Sequence, residues 1–257
     1  MRYDAPPLSG LPTVVKNLLI INVLVFLVTA FGLAGTGERG MYDHFALHYF
    51  ASPLFEPWQL VTHMFMHGGF GHLALNMFVL FMLGPPLEHK WGSQRFLTYY
   101  MIAGVGAALF YSGAHAFDYF KLKELLSEEQ FGEVMVRGGD LWQERRNFAH
   151  PEMGRLNQLL NMPMVGASGA IYGVLLAFGM TFPDVRLILF PIFIPIKAKY
   201  MVVLLGVMAV LMSMADNPDD NVAHLAHLGG MVVGFLLIKL WKDRGDMDGW
   251  QRWDQGR

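Results

Sequence analysis

The sequence predicts an all-α, polytopic membrane protein: a bundle of six transmembrane helices, built as one domain over residues 1–257. Three observations predict it. Hydrophobic residues make up 54% of the chain and mean hydropathy is +0.35, whereas a soluble domain lies nearer ~45–50% apolar. The apolar residues gather into runs of about 19, which at ~1.5 Å per residue match a hydrocarbon core of ~30 Å. One run carries the small residues Ala103, Gly104, Gly106, Ala107 and Ala108, which let helices pack closely in lipid. A net charge of -2 with no basic, aromatic-interleaved cluster argues against a nucleic-acid partner. The absence of cysteine excludes disulfides and thiol catalysis. The eighteen methionines read as adaptable apolar packing.

The elements follow in order. Span 1 runs from Asn17 to Gly35, flanked by Arg2 and Lys16; it is long for a signal-peptide core and no Ala-x-Ala site follows. Residues 36–69 are broken by Arg39, Asp43, Pro53, Glu56 and Pro57 but stay aromatic, predicting an interfacial loop anchored by Trp58. Gly68 and Gly69 then allow span 2 to start near Phe70 and run to His89, with a kink near Pro85 and Pro86. Span 3 covers Phe96 to Ala116. Residues 117–162 form a water-facing insert in which six Lys/Arg meet eight acids. Ser127 and Gln130 there fit a capping box, predicting a short surface helix. Span 4 is placed at Met164 to Phe182. Leu187 to Ile196, with Pro191 and Pro195, reads as interfacial. Span 5 covers Lys199 to Met214 and span 6 Val222 to Trp241.

Six spans put both termini on one side. Twelve Lys/Arg fall on that side and seven, including Arg39 and the insert, on the other, so the termini are expected in the cytoplasm.

The polar residues within the spans carry the chemistry. Pro163 to Gly173 sets Ser168 among Gly166, Gly169 and Gly173 at the head of an apolar run. The N–H groups of a helix N-terminus lack intrahelical acceptors and sit at the positive end of the dipole, which suits a serine attacking a carbonyl. Alone, the pattern reads as helix packing. Span 2 adds His72 and Asn76 at i and i+4, span 4 adds Tyr172 four residues after Ser168, and span 6 adds His224 and His227. Counted from the span starts, His72, Ser168 and His227 lie roughly 3–8 Å below the outer boundary at ~1.5 Å per residue. Such residues face a protein interior or water, so one shared pocket is expected. His227 is the candidate base, because Gly230 and Gly234 clear its helix face. His224 reads as a packing or water-contacting histidine. His72 and Asn76 are candidate oxyanion donors, with the N–H of Ser168. Tyr172 either packs on the imidazole or is an ordinary buried tyrosine. With no carboxylate in the spans at that depth, a Ser/His dyad is expected, with no metal and no cofactor.

The motifs Gly166-Ala-Ser168-Gly169, Ala226-His227-Leu-Gly-Gly230-Met-Val-Val-Gly234 and His72-Leu-Ala-Leu-Asn76 resemble the three signatures of rhomboid intramembrane serine proteases, in order and on the corresponding spans. His63, His67, Gly84, Glu88, Gly92 and Ser93 also resemble that family's pattern. The resemblance implies a six-span fold in which Ser168 and His227 cleave transmembrane segments of single-span membrane proteins, His72 and Asn76 line the oxyanion hole, and the chain resides in a bacterial-type plasma membrane. Two departures stand out: the long insert, and Trp58-Gln59 where the family often has Trp-Arg.

Two other readings fit fewer residues. A metalloprotease would use His63, His67 and His72, but Met64 stands where a His-Glu-x-x-His motif has its base. A non-catalytic protein that binds transmembrane clients, or a solute conductor, would need neither Ser168 nor His227.

Overall fold

The computed structural model describes residues 10–32, 40–189, 194–214 and 224–243. The first long helix, α1, is Thr13–Ala30. The segment before span 2 holds two short helices, α2 (Met41–Phe45) and α3 (Gln59–Thr62), and a 3-10 turn at His63–Phe65. Then come α4 (Phe70–Trp91), α5 (Ser93–Ala114), α6 (Ala116–Leu125), α7 (Glu128–Gln143) and α8 (Pro151–Asn161). The chain continues through α9 (Ser168–Thr181), strands β1 (Arg186–Leu189) and β2 (Ile194–Lys197), α10 (Ala198–Met214) and α11 (His224–Asp243). Among the described residues four helical segments are long and apolar enough to cross a membrane, α5 and α6 counting as one stretch from Ser93 to Leu125, while α9 and α10 are shorter apolar helices. The molecule is an all-α, polytopic membrane protein. Large apolar side chains stand exposed along α1 (Leu24), α4 (Phe78) and α10 (Val203, Leu211), the surface expected to meet lipid.

Several boundaries differ from expectation. Span 1 begins at Thr13 rather than Asn17, and its expected end at Gly35 lies outside the described residues. Its N-cap, Pro12, offers no side-chain bond. Instead Glu88, 2% exposed on α4, accepts from Val14 N at 2.9 Å and Val15 N at 2.8 Å. Ser93 Oγ donates to the same carboxylate at 2.6 Å. An anion on the free N–H groups of a helix start is favourable, so this one residue ties α1, α4 and α5 together. Glu88→Ala would leave two N–H groups without a carboxylate and should cost on the order of 2 kcal/mol, read as a lower melting temperature in detergent; an unchanged one would make the cap dispensable. Gly92, at φ +82°, makes the tight corner between α4 and α5.

Span 4 is shorter than expected. Met164 is extended and exchanges backbone bonds with Leu47, Leu47 N to Met164 O at 2.9 Å and Met164 N to Leu47 O at 2.8 Å. Gly166 then takes φ +120°, so helical dihedrals begin only beyond it and Ser168 becomes the first residue of α9. Leu187 to Ile196 is not merely interfacial: Arg186 to Leu189 pairs antiparallel with Ile194 to Lys197, a small hairpin beside the helices. Lys199 and Lys197 both donate to Asp184 at its foot, at 3.0 and 3.1 Å, and hold that carboxyl below its usual range.

The insert contains three helices rather than one. The capping box of α7 is formed, with Gln130 N donating to Ser127 Oγ at 3.2 Å and Ser127 N to Gln130 Oε1 at 3.0 Å. Leu122, Val134, Leu156 and Leu160 of the insert build a separate apolar cluster together with Tyr49 of the first loop. Gly138 on α7 lets Asn157 and Asn161 of α8 close in.

The main core joins α4, α5, α9 and α11 around Leu80, Phe96, Tyr99, Tyr100 and Val174. Small residues set its spacing. A Cβ at Gly230 of α11 would overlap the carbonyl of Gly169 on α9, and one at Gly173 would meet Ala103 at 2.8 Å. The two helices therefore run almost backbone to backbone, with Tyr99 Oη donating to Gly173 O at 2.8 Å from α5.

Candidate active site

Ser168 stands at the N-terminus of α9 with no side chain capping that end. The first intrahelical bond recorded there is Ile171 N to Ala167 O, 3.0 Å, so the N–H groups before Ile171 have no partner within the helix. The turn leading to Ser168 is held from behind, since Gly166 N donates to His63 O at 2.9 Å. His63 Nδ1 in turn donates to Gln59 O at 2.8 Å.

Gln59 is buried and acts as the hub of the first loop. Its Nε2 donates to Asp43 O at 3.0 Å and Leu54 O at 2.8 Å, and its Oε1 accepts from His48 N at 3.1 Å. A neutral amide thus ties the loop strands where an arginine would bring a charge needing compensation. Trp58 Nε1 donates to His44 O at 2.9 Å. Burial pushes His63 and His67 down to about 4, with His72 adding to the effect at His67, so both loop histidines are neutral at physiological pH.

The structure brings the residues singled out from the sequence to one place. His227 Nε2 lies 2.9 Å from Ser168 Oγ. Its Nδ1 is buried without a partner, and no carboxylate reaches it among the described residues; Asp216, Asp219 and Asp220 lie outside them. Tyr172 stacks on the imidazole with ring centroids 4.1 Å apart and planes 5° off parallel. His224 meets the same ring edge-on at 5.9 Å. His72 lies over Gly166: a Cβ on that glycine would sit 2.7 Å from the His72 ring and 3.7 Å from Ser168 Oγ. His67 packs edge-on against His72 at 5.1 Å. Asn76 is 5% exposed and its Nδ2 has no partner. Gly169, Gly230 and Gly234 lie where α9, α11 and Tyr99 touch.

These residues open into one cleft of about 2740 Å³ lined by His72, Asn76, Ser168, Tyr172, His224 and His227, far larger than the ~300–1,000 Å³ of a small-molecule pocket. It extends between α4 and α10, past Phe78, Met82, Met201 and Leu205. Among the described residues no three His, Asp or Glu side chains converge as metal ligands.

The geometry has sequence relatives. A family model described as Rhomboid domain matches residues 54–243, about three quarters of the chain. The chain belongs to the rhomboid family. Curated relatives of this rhomboid include Rhomboid protease AarA of Providencia stuartii, 28% identical over 180 residues, covering 70% of this chain and 54% of that protein. Putative rhomboid protease YdcA of Bacillus subtilis is 29% identical over 183 residues, covering 71% and 66%. Rhomboid protein 1, mitochondrial, of Saccharomyces cerevisiae is 27% identical over 241 residues, covering 90% and 55%. This rhomboid therefore spans between about half and two thirds of those proteins' lengths.

Gln59 and Tyr99 have no role legible in the sequence, and His63 reads there only as a candidate metal ligand and part of the family pattern. Gln59 was visible only as a departure from Trp-Arg. Tyr99 offered the signal of a bulky hydroxyl facing the small-residue stripes of two other spans.

Proposed function

We propose that this protein is an intramembrane serine endopeptidase that cleaves transmembrane segments of single-span membrane proteins, with Ser168 as nucleophile and His227 as general base. The observation that carries the reading is the 2.9 Å approach of Ser168 Oγ to His227 Nε2 at a helix N-terminus without a capping side chain. For catalysis the Ser168 hydroxyl donates to Nε2, so the imidazole proton resides on Nδ1. As Oγ attacks the scissile carbonyl, its proton passes to Nε2. The carbonyl oxygen becomes an oxyanion, to which we assign the N–H of Ser168, Asn76 Nδ2 and His72 as donors. The imidazolium then protonates the leaving amine, and water drawn from the cleft hydrolyses the acyl-enzyme. Tyr172 keeps the imidazole plane fixed in place of a carboxylate. Gly169, Gly230 and Gly234 hold the two helices at the separation this transfer needs, and Gly166 leaves room for His72 over the turn before Ser168.

Substrate enters from the bilayer between α4 and α10 as a locally unwound segment, because an intact helix keeps its carbonyls engaged. The chain acts as a single domain, with residues 117–162 as its water-facing part. We assign the chain to a bacterial-type inner membrane, and the Lys/Arg bias supports termini on its cytoplasmic side.

Labelling with a fluorescent fluorophosphonate tests the reading. Wild type in detergent should be modified and Ser168→Ala should not; equal labelling would remove Ser168 from the role. A protein that is not labelled but retains single-span clients on a column would favour the non-catalytic reading. Asn76→Ala should slow cleavage by roughly 10²-fold, the ~3 kcal/mol of one oxyanion donor, with little change in KM. A wild-type rate would take Asn76 out of the oxyanion hole.

A further inference from the structure

The cleft is charged differently at its two ends. Beside the insert it is lined by Lys121 and Arg155 together with Asp118 and Glu152, and these charges balance. At the far end, past the last turn of α9, its lining is Asp184, Arg186, Leu187, Ile188, Pro195 and Lys197. The 14 residues of α9 separate Ser168 from this end, about 20 Å at ~1.5 Å per residue.

The hairpin sets the pattern there. Arg186 stands directly opposite Lys197, and Ile188 opposite Pro195. Residues two apart on a strand share a face with their cross-strand partners, so two bases and two apolar residues occupy one side of the ribbon, and all four line the cleft. Like charges directly opposite one another destabilise a strand pair. The acid beside them, Asp184, already accepts from both Lys197 and Lys199, so three bases meet one acid. Arg186 is exposed and makes no ion pair among the described residues. An anion between Arg186 and Lys197 would relieve their repulsion. Apolar surface adjoins the bases, with Ile188 64% and Tyr200 60% exposed. From there toward Ser168 the cleft runs between Met82 and Leu83 of α4 and Met201 and Leu205 of α10.

We propose that this end of the cleft binds one anionic phospholipid, its phosphate between Arg186 and Lys197 and an acyl chain laid along Met82, Met201 and Leu205. The occupant is a lipid because the bases stand at the end of the apolar helices, where headgroups lie, and the wall leading away from them toward mid-membrane is apolar, as an acyl chain requires. It is anionic because bases outnumber acids at this end, the character of the basic pockets between membrane helices that hold acidic headgroups. A soluble anion would use the bases and gain nothing from Met82, Met201 and Leu205. The site lies apart from Ser168 and His227, and its occupancy does not depend on their reactivity.

Native mass spectrometry of the full chain in detergent reads the bound lipid directly. Offered equal amounts of dioleoylphosphatidylglycerol and dioleoylphosphatidylcholine, which share their chains and differ in charge, wild type should retain the first about tenfold better, equivalent to ~1.4 kcal/mol. R186Q/K197Q should lose that preference and R186K should keep it. D184N, which releases Lys197 and Lys199 from their acid, should increase it, so the test stays decisive even if the double variant disturbs the hairpin. A preference unchanged in both R186Q/K197Q and D184N would overturn the proposal. K239Q/K242Q removes the same charge from α11, outside the cleft, and should leave the preference intact; an equal loss there would mean general surface attraction and would also overturn the site. Replacing chloride by inorganic phosphate at constant ionic strength should not release the lipid, and release would identify a free-phosphate site instead. Equal retention of the two lipids by wild type refutes the lipid assignment and leaves an acidic flank of a substrate as the anion for these bases.

Discussion

His227→Ala should abolish cleavage of a single-span reporter while leaving the protein folded, with a loss of at least ~10⁴-fold, because a nucleophile and its base act as a unit. The ring is 8% exposed and its Nε2 lies on Ser168 Oγ. Without it the Ser168 hydroxyl has no imidazole within hydrogen-bond distance among the described residues. Removal of the ring leaves a void beside Tyr172, so the melting temperature should fall modestly and not collapse. Fluorophosphonate labelling, which needs the same activated oxygen, should be lost in step. The decisive comparison is Ser168→Ala: if the two variants differ greatly in residual rate, the residues are not a coupled pair. A His227→Ala protein that still cleaves at a substantial fraction of the wild-type rate would refute the assignment of the base.

Gly230→Leu should damage both fold and activity. The overlap of a Cβ there is with the backbone carbonyl of Gly169, which no rotamer change relieves, so α9 and α11 must separate. Overpacking of this kind costs ~1–3 kcal/mol or more. Since Gly230 lies one turn after His227, the separation acts directly on the Ser168–His227 distance. A misplacement of about 1 Å can cost ~10²-fold in rate, so even a protein that remains folded should be nearly inactive. Gly113→Ala serves as the comparison, because nothing lies within 4 Å of a Cβ on that α5 glycine. It should be tolerated, with stability unchanged or raised, given the ~1 kcal/mol that separates Gly from Ala in helices. If Gly230→Leu retained wild-type melting and turnover, the close approach of the two helices would not matter to the site.

What was legible in the sequence was local. His72 and Asn76, Ser168 and Tyr172, and His227 with Gly230 and Gly234 each sit at helical spacings, and three such sets at similar depth imply a shared pocket before any coordinates. The start of α9 was not legible, because Met164 is held extended by Leu47, more than one hundred residues earlier in the chain. The cap on α1 comes from Glu88, 73 residues from Val15. The pairing of β1 with β2 was hidden under an apolar run containing two prolines. The insert gave up its capping box, which is local, but not its three-helix packing or its place along the cleft.

Periodic apolar runs and the polar residues that interrupt them told which segments enter the membrane and which side chains are too costly to bury there without a purpose, since both follow from burial energetics along one helix. The 2.9 Å approach of Ser168 to His227, the ring of Tyr172 lying flat on the imidazole and the bases of the hairpin facing the same cleft depend on how closely separate elements approach. That distance is set by pairs such as Gly230 against Gly169, and a contact between two residues is a property of neither one's neighbours in the chain.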